Sequence, residues 1–139
     1  MKKGEKISYE YTLKKADELN EEKAVRELNG LVYNPSDMNY LITQRRWLTK
    51  FGGSAIGVSD FDLIYSNMFF AHEYTLKDWM RYMKAGRFSL ESMWPQVMEI
   101  DFLTNPLQVE IPVYIFAGKH DYQTPSELAS EYFNNIDCP

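Results

Sequence analysis

Pro112-Val113-Tyr114-Ile115-Phe116-Ala117-Gly118-Lys119-His120-Asp121-Tyr122-Gln123-Thr124-Pro125 is the stretch on which the fold turns. Val113 to Ala117 is a short apolar run of β-branched and aromatic residues, opened by Pro112 and closed by Gly118, which is the pattern of a buried strand. Thr124-Pro125-Ser126-Glu127 then starts a helix, with Pro and an acid in its first turn. The reading is therefore a strand over about 112–117, a loop over 118–125 and a helix over about 126–134. Asp121 stands just past the C-terminal end of the strand, where open α/β sheets place functional groups. A carboxylate there either caps the turn before the helix or orients a histidine and stabilises its charged form.

A buried strand needs hydrogen-bonding neighbours on both edges. No second convincing strand is present in the sequence to supply them. This predicts that the chain belongs to a larger assembly or that strands pair between copies, giving a homo-oligomer.

Residues 1–104 read as helices with short breaks. Ile7, Tyr11 and Leu13 give an imperfect helical pattern over about 7–19. Asn20 is placed to cap a second helix with Glu21 and Glu22 in its first turn, and Ala24, Val25, Leu28 and Leu31 on one face. Asn34-Pro35-Ser36-Asp37 turns into a third helix through Tyr40, Leu41, Ile42, Trp47, Leu48 and Phe51, which stops at Gly52-Gly53. Arg45 and Arg46 interrupt its apolar surface and either face solvent or reach carboxylates across an interface. Ser59 begins a helix bearing Phe61, Ile64 and Met68. Thr75 and Asp78 form a capping-box pattern before a stripe of Leu76, Trp79, Met80 and Met83, which reads as core or else as a lid face over a hydrophobic substrate cleft, with Gly86 as its stop. Ser89 caps a further helix to Ile100, broken or kinked at Pro95.

The acid turn Gly118-x-x-Asp121-x-x-x-Pro125 resembles the catalytic-acid segment of α/β-hydrolases. Tyr40-Leu41-Ile42-Thr43-Gln44-Arg45-Arg46-Trp47, Phe51-Gly52-Gly53 and Trp94-Pro95-Gln96-Val97 resemble the lid of the proline iminopeptidase-like branch. The resemblance implies a mainly α chain: residues 1–104 as the helical lid, or cap, and 105–139 as one strand and one helix of the parent α/β sheet domain. It implies Asp121 as the acid of a Ser-Asp-His triad in a serine aminopeptidase or esterase acting on a short peptide or small ester. Glu73, Glu91, Trp94 and Glu99 are the candidates for contact with substrate in the lid.

The remaining machinery of that family is not legible here. The nucleophile belongs on a G-x-S-x-G elbow after a strand. Gly52-Gly53-Ser54-Ala55-Ile56-Gly57 has its last glycine one place late and no strand before it, so Ser54 reads as a loop residue. His120 adjoins Asp121, but neighbours in an extended segment point apart. His72 lies among helical residues. The expectation is a hydrolase fragment inactive alone, since triad members act as a unit. A non-catalytic helical module that self-associates through its unpaired strand is the alternative.

Composition excludes other classes. Among 139 residues, 15 are Lys or Arg and 20 are Asp or Glu, a formal charge of −5 with no basic stripe for nucleic acid. Cys138 is the only cysteine, and His72-Glu73 lacks the second histidine of a helical zinc motif, so neither a disulfide nor a metal is expected. No stretch is long and apolar enough to span a membrane, and the N-terminus has no apolar signal core. A cytoplasmic protein that carries no cofactor is the expectation.

Overall fold

The computed structural model describes residues 2–57, 70–104 and 108–138, and these are mainly helical. The elements are α1 (Lys2–Glu18), α2 (Glu22–Asn29), α3 (Met38–Lys50), α4 (Leu76–Glu99) and α5 (Ser126–Asn135). The helix expected after Ser59 lies outside the described residues.

Helices α1, α2 and α3 pack together around Ala16, Ala24, Leu28 and Trp47, with Tyr9, Leu13, Val25, Leu31 and Phe51 against them. Their ends are set by local chemistry. Asn20 does not cap α2. It takes a left-handed backbone with φ of 52° and closes α1 instead. Its N–H bonds Asp17 O at 3.1 Å and the N–H of Glu21 bonds Ala16 O at 2.9 Å, the paired bonds of a Schellman ending. The same ending recurs on α3 at Gly52, whose φ is 74°, with bonds from Gly52 N to Thr49 O and from Gly53 N to Leu48 O, each 2.9 Å. Asp37 caps the start of α3, its carboxylate accepting the Tyr40 N–H at 2.8 Å.

The seam between α1 and α3 is polar. Glu5, Ser8, Thr12 and Gln44 are all buried there. The Gln44 amide donates to Ser8 Oγ at 2.8 Å and to Thr12 Oγ1 at 3.1 Å. Arg45 crosses to Glu5 at 2.5 Å and also donates to Ser8 Oγ at 2.8 Å. Arg46 reaches Glu27 on α2, which also accepts the Trp47 indole N–H at 2.8 Å. Both arginines thus serve interfaces between helices. Among the described residues, Glu5 Oε2 has no hydrogen-bond partner. Burial raises the Glu5 carboxyl above its usual range, outweighing the opposing pull of Arg45.

Helix α4 corrects two expectations. Gly86 does not stop it and Pro95 does not break it: one helix of 24 residues runs through both. The capping box is present, with Asp78 N donating to Thr75 Oγ1 at 3.3 Å and Thr75 N to Asp78 Oδ2 at 3.0 Å. The stripe read as core is largely in solvent, with Leu76 73% and Met80 57% exposed. Helix α4 meets the rest of the chain toward its C-terminal end, where Met98 is buried and the Trp94 indole N–H donates to Pro35 O at 2.7 Å.

The predicted buried strand is the other correction. Residues 112–117 form no strand, and Tyr114 and Phe116 are 81% and 95% exposed. The reason is the one that made a lone strand improbable: among the described residues no ladder partner lies beside it. A single parallel bridge, Gln108 with Asp137, ties the end of α5 back to residue 108. No described helix is long and apolar enough to cross a membrane.

Glu5 makes stability depend on pH with a defined sign. A carboxyl whose pKa is higher in the folded chain than in the unfolded one, roughly 4.3 for glutamate, adds stability that is fully present below the unfolded value. That contribution is lost as pH rises through the folded value. Lowering the pH through this window should therefore raise the stability of the wild type relative to Glu5→Gln, measured by urea unfolding. A difference that stays flat or moves the other way would show that Arg45 outweighs burial.

Candidate functional site

The turn from Gly118 to Pro125 folds around the Asp121 side chain. Its N–H closes the turn on Gly118 O at 3.2 Å. One carboxylate oxygen accepts the N–H groups of Gln123 at 2.8 Å and Thr124 at 3.0 Å, and the other accepts Thr124 Oγ1 at 2.6 Å. These bonds satisfy backbone donors just before α5, the service a short acidic side chain gives at a helix start. They also fix the carboxylate rigidly. Two oxygens offer about four acceptor positions, and three donors leave room for one more. Asp121 is half-buried, so that position is within reach of a group approaching from outside.

What anchors the turn is its neighbour. The Tyr122 N–H donates to Gly53 O at 2.7 Å. The Tyr122 ring lies flat on Tyr11 of α1, centroids 3.6 Å apart and planes within 10°. Farther along, Pro125 is buried, Leu128 comes against Gly4, and Lys3 pairs with Glu131 at 2.5 Å. The acid turn and α5 are therefore clamped to the N-terminal helix and to the loop that ends α3.

Gly53 makes the clamp possible. A Cβ there would stand 2.4 Å from Leu48 Cδ1 and 2.9 Å from Tyr11 Cε1. The glycines that imitate a nucleophile elbow thus have packing reasons: Gly52 supplies the left-handed residue and Gly53 the space. Ser54 shares a hydrogen bond with Thr49 Oγ1 at 3.0 Å. His120 is exposed beside Asp121, and His72 is exposed in the turn before α4.

The lid candidates do not converge as a set. Glu91 and Trp94 share a face of α4, with Glu91 paired to Arg87 at 2.7 Å and Trp94 held on Pro35. Glu99 ends the helix, and Glu73 precedes it. Twenty-four residues of helix put roughly 36 Å between Glu73 and Glu99, so no one small ligand touches both. Below the acid turn, an open groove runs between residues 113–117 and the Ala129, Phe133 and Asn134 side of α5. Among the described residues no group of three His, Cys, Asp or Glu side chains is arranged to hold a metal ion.

Sequence reading missed Tyr11, Gly53 and Tyr122 as the supports of the acid turn, because no local pattern links residues so far apart. It also missed Glu5, Ser8 and Thr12. Their spacing was a signal: with Ala16 they recur at three, four and four residues, a helical face that is buried but polar.

Gly53→Ala is expected to destabilise the fold by about 1–3 kcal/mol, the usual range for forcing a methyl into a packed site. It should also loosen Tyr11 from Tyr122. Chemical denaturation and near-ultraviolet circular dichroism of the tyrosines check both. An unchanged midpoint and spectrum would mean that Leu48 and Tyr11 yield freely.

No family model matches the chain, and no solved structure matches it. Over 72 residues it is 22% identical to Probable aminopeptidase YbaC of Bacillus subtilis (strain 168), a match that covers 52% of this chain and 23% of that protein. The chain thus spans under a quarter of the length of that relative. The likeness supports a link to peptidases or, more broadly, hydrolases, and reaches no further than those 72 residues.

Proposed function

We propose that this chain supplies the substrate-covering lid and the triad acid of a serine hydrolase of the aminopeptidase type, and that it is inactive alone. The observation that carries the reading is the rigid Asp121 carboxylate, bonded to three donors with room for one more, in a turn docked on the helical unit. The partial likeness to a probable aminopeptidase points the same way. In this reading residues 1–104 are the lid and 105–139 a piece of the catalytic domain. The intact enzyme's serine attacks an amide or ester, its histidine relays the proton, and Asp121 holds that histidine in the productive tautomer. Of the lid candidates, Glu91 and Trp94 share one face of the lid helix, and Glu73 and Glu99 lie at its two ends. The substrate is a short peptide or a small ester.

Two samples test this. The purified chain should neither hydrolyse proline or other aminoacyl chromogenic substrates nor react with a fluorophosphonate probe. A chimera carrying this chain in place of the matching segment of the Bacillus subtilis relative should turn such a substrate over. Asp121→Asn in the chimera should then lower kcat by about 10⁴-fold, the loss seen when a triad acid can no longer hold its histidine. A chimera that folds and works equally well with Asn at this position would remove Asp121 from the chemistry.

The exposure of Tyr114 and Phe116 on an unladdered segment favours a second reading, a non-catalytic module that pairs 112–117 with the same segment of another copy. Proline at position 115 cannot donate to a ladder, so Ile115→Pro should abolish self-association in sedimentation equilibrium. Association untouched by that substitution would sink this reading.

A further inference from the structure

Because α4 continues through Gly86 and Pro95, a pattern emerges that two separate helices would hide. Leu76, Met80, Met83, Arg87, Leu90, Trp94 and Val97 follow one another at alternating steps of four and three residues. That is the a/d spacing of a coiled coil sustained for about three heptads. Its first half stands in solvent, and Leu90 is still 38% exposed.

We propose that this stripe is a self-association seam: α4 pairs antiparallel with α4 of a second copy of the chain, about a two-fold axis beside Ala85. The charges favour the antiparallel direction. In that register Leu76 lies against Trp94 of the second copy, Met80 against its Leu90, and Met83 against its Arg87. From Leu76 to Trp94 each apolar position meets an apolar residue or the aliphatic stem of an arginine; Val97 falls opposite Glu73, before the helix begins, and lies outside the paired stretch. The Arg87 head is already held by Glu91 at 2.7 Å, which keeps its charge at the rim. Lys77 of each copy falls beside Glu91 of the other, giving two flanking attractions against one Lys84–Lys84 approach on the same flank at the axis. Parallel pairing would instead stack Arg87 on Arg87 in the seam and part Lys77 from Glu91, removing both flanking attractions. Gly86 flanks the two-fold axis, where a Cβ would meet nothing within 4 Å and the missing side chain lets two backbones approach. Pro95 points away from the seam. A two-fold pairing is self-complementary and closes on itself, so it predicts a dimer and not a filament.

Sedimentation equilibrium of the full chain reads the state directly, and a concentration-dependent dimer is expected. Met80→Glu, at an exposed site, should raise the dissociation constant at least tenfold with helix content unchanged by far-ultraviolet circular dichroism. Lys77→Glu should weaken the dimer, and adding Glu91→Lys should restore it. Direction is read by cross-linking in a Cys138→Ser background. A short thiol cross-linker should join copies of Gly86→Cys. It should not join copies of Lys77→Cys, whose sites stand about 24 Å apart along the axis in the antiparallel pair. A chain monomeric at every concentration, or a dimer indifferent to Met80→Glu, overturns the proposal. A dimer lost on Ile115→Pro but not on Met80→Glu assigns association to residues 112–117 and likewise overturns it. Equal cross-linking at 77 and 86 overturns the antiparallel register.

Discussion

Tyr122 is held from two directions, and the position of the acid turn depends on both. Its backbone N–H is fixed by the carbonyl of Gly53, and its ring by the face of Tyr11. The first contact needs α3 to end where it does, because the Schellman closure at Gly52 aims the following carbonyl outward. The second needs Gly53 to have no side chain, because Tyr11 occupies the space a Cβ would take. A hydrogen bond between neutral groups contributes roughly 1 kcal/mol, and an aromatic pair a similar amount beyond its burial. Neither would hold a loop alone. Together with the packing of Leu128 over Gly4 and the ion pair of Lys3 with Glu131, they hold residues 121–135 against a helix more than a hundred positions earlier.

That dependence runs down into the polar seam between α1 and α3. Tyr11 is on α1 and Gly53 follows α3, so the angle between those helices sets the distance between the two supports. A seam of leucines would allow the helices to slide with little penalty. A seam in which Gln44 must meet both Ser8 and Thr12, and Arg45 must meet Glu5, has one register. Half-satisfied alternatives would leave buried donors unpaired, at about 1–3 kcal/mol each. The buried Glu5–Arg45 pair is weak evidence of net stability, since desolvation offsets much of its attraction. Its value is in fixing alignment, and the carboxyl's raised pKa is the mark of the burial that alignment requires.

Much of the helical part was legible in the sequence. The capping signals at Asp37 and Thr75 and the glycine stop after α3 are enforced by neighbours in the chain, and local reasoning finds them. Asn20 was misassigned because the residue types that begin helices overlap with those that end them in a left-handed turn. The inner face of α1 was misjudged because hydropathy marks Ile7, Tyr11 and Leu13, whereas the contacts that α3 offers are hydrogen-bonding ones. Gly86 and Pro95 were overvalued as breaks. Each costs helix stability, yet neither forbids a helix that continues on both sides.

The acid turn shows the limit from the other direction. The spacing from Gly118 to Pro125 located Asp121 and the start of α5, and the hydrogen bonds show the turn-capping reading of Asp121. A carboxylate that caps a turn through two backbone N–H groups and a hydroxyl is also one that cannot rotate, which is what a histidine-orienting acid needs. The capping role therefore does not compete with a catalytic one. It supplies the preorganisation that such a role would draw on, whichever chain provides the histidine. The segment before it behaves differently, because a strand is not a local object. Val113 to Ala117 carries the composition of a buried strand, and composition states what surroundings a segment suits. It does not supply them. With no ladder beside it among the described residues, the same apolar side chains that argued for burial stand exposed, with Phe116 the extreme case. Such a surface is costly in water. Its conformation should respond to whatever comes to lie against it.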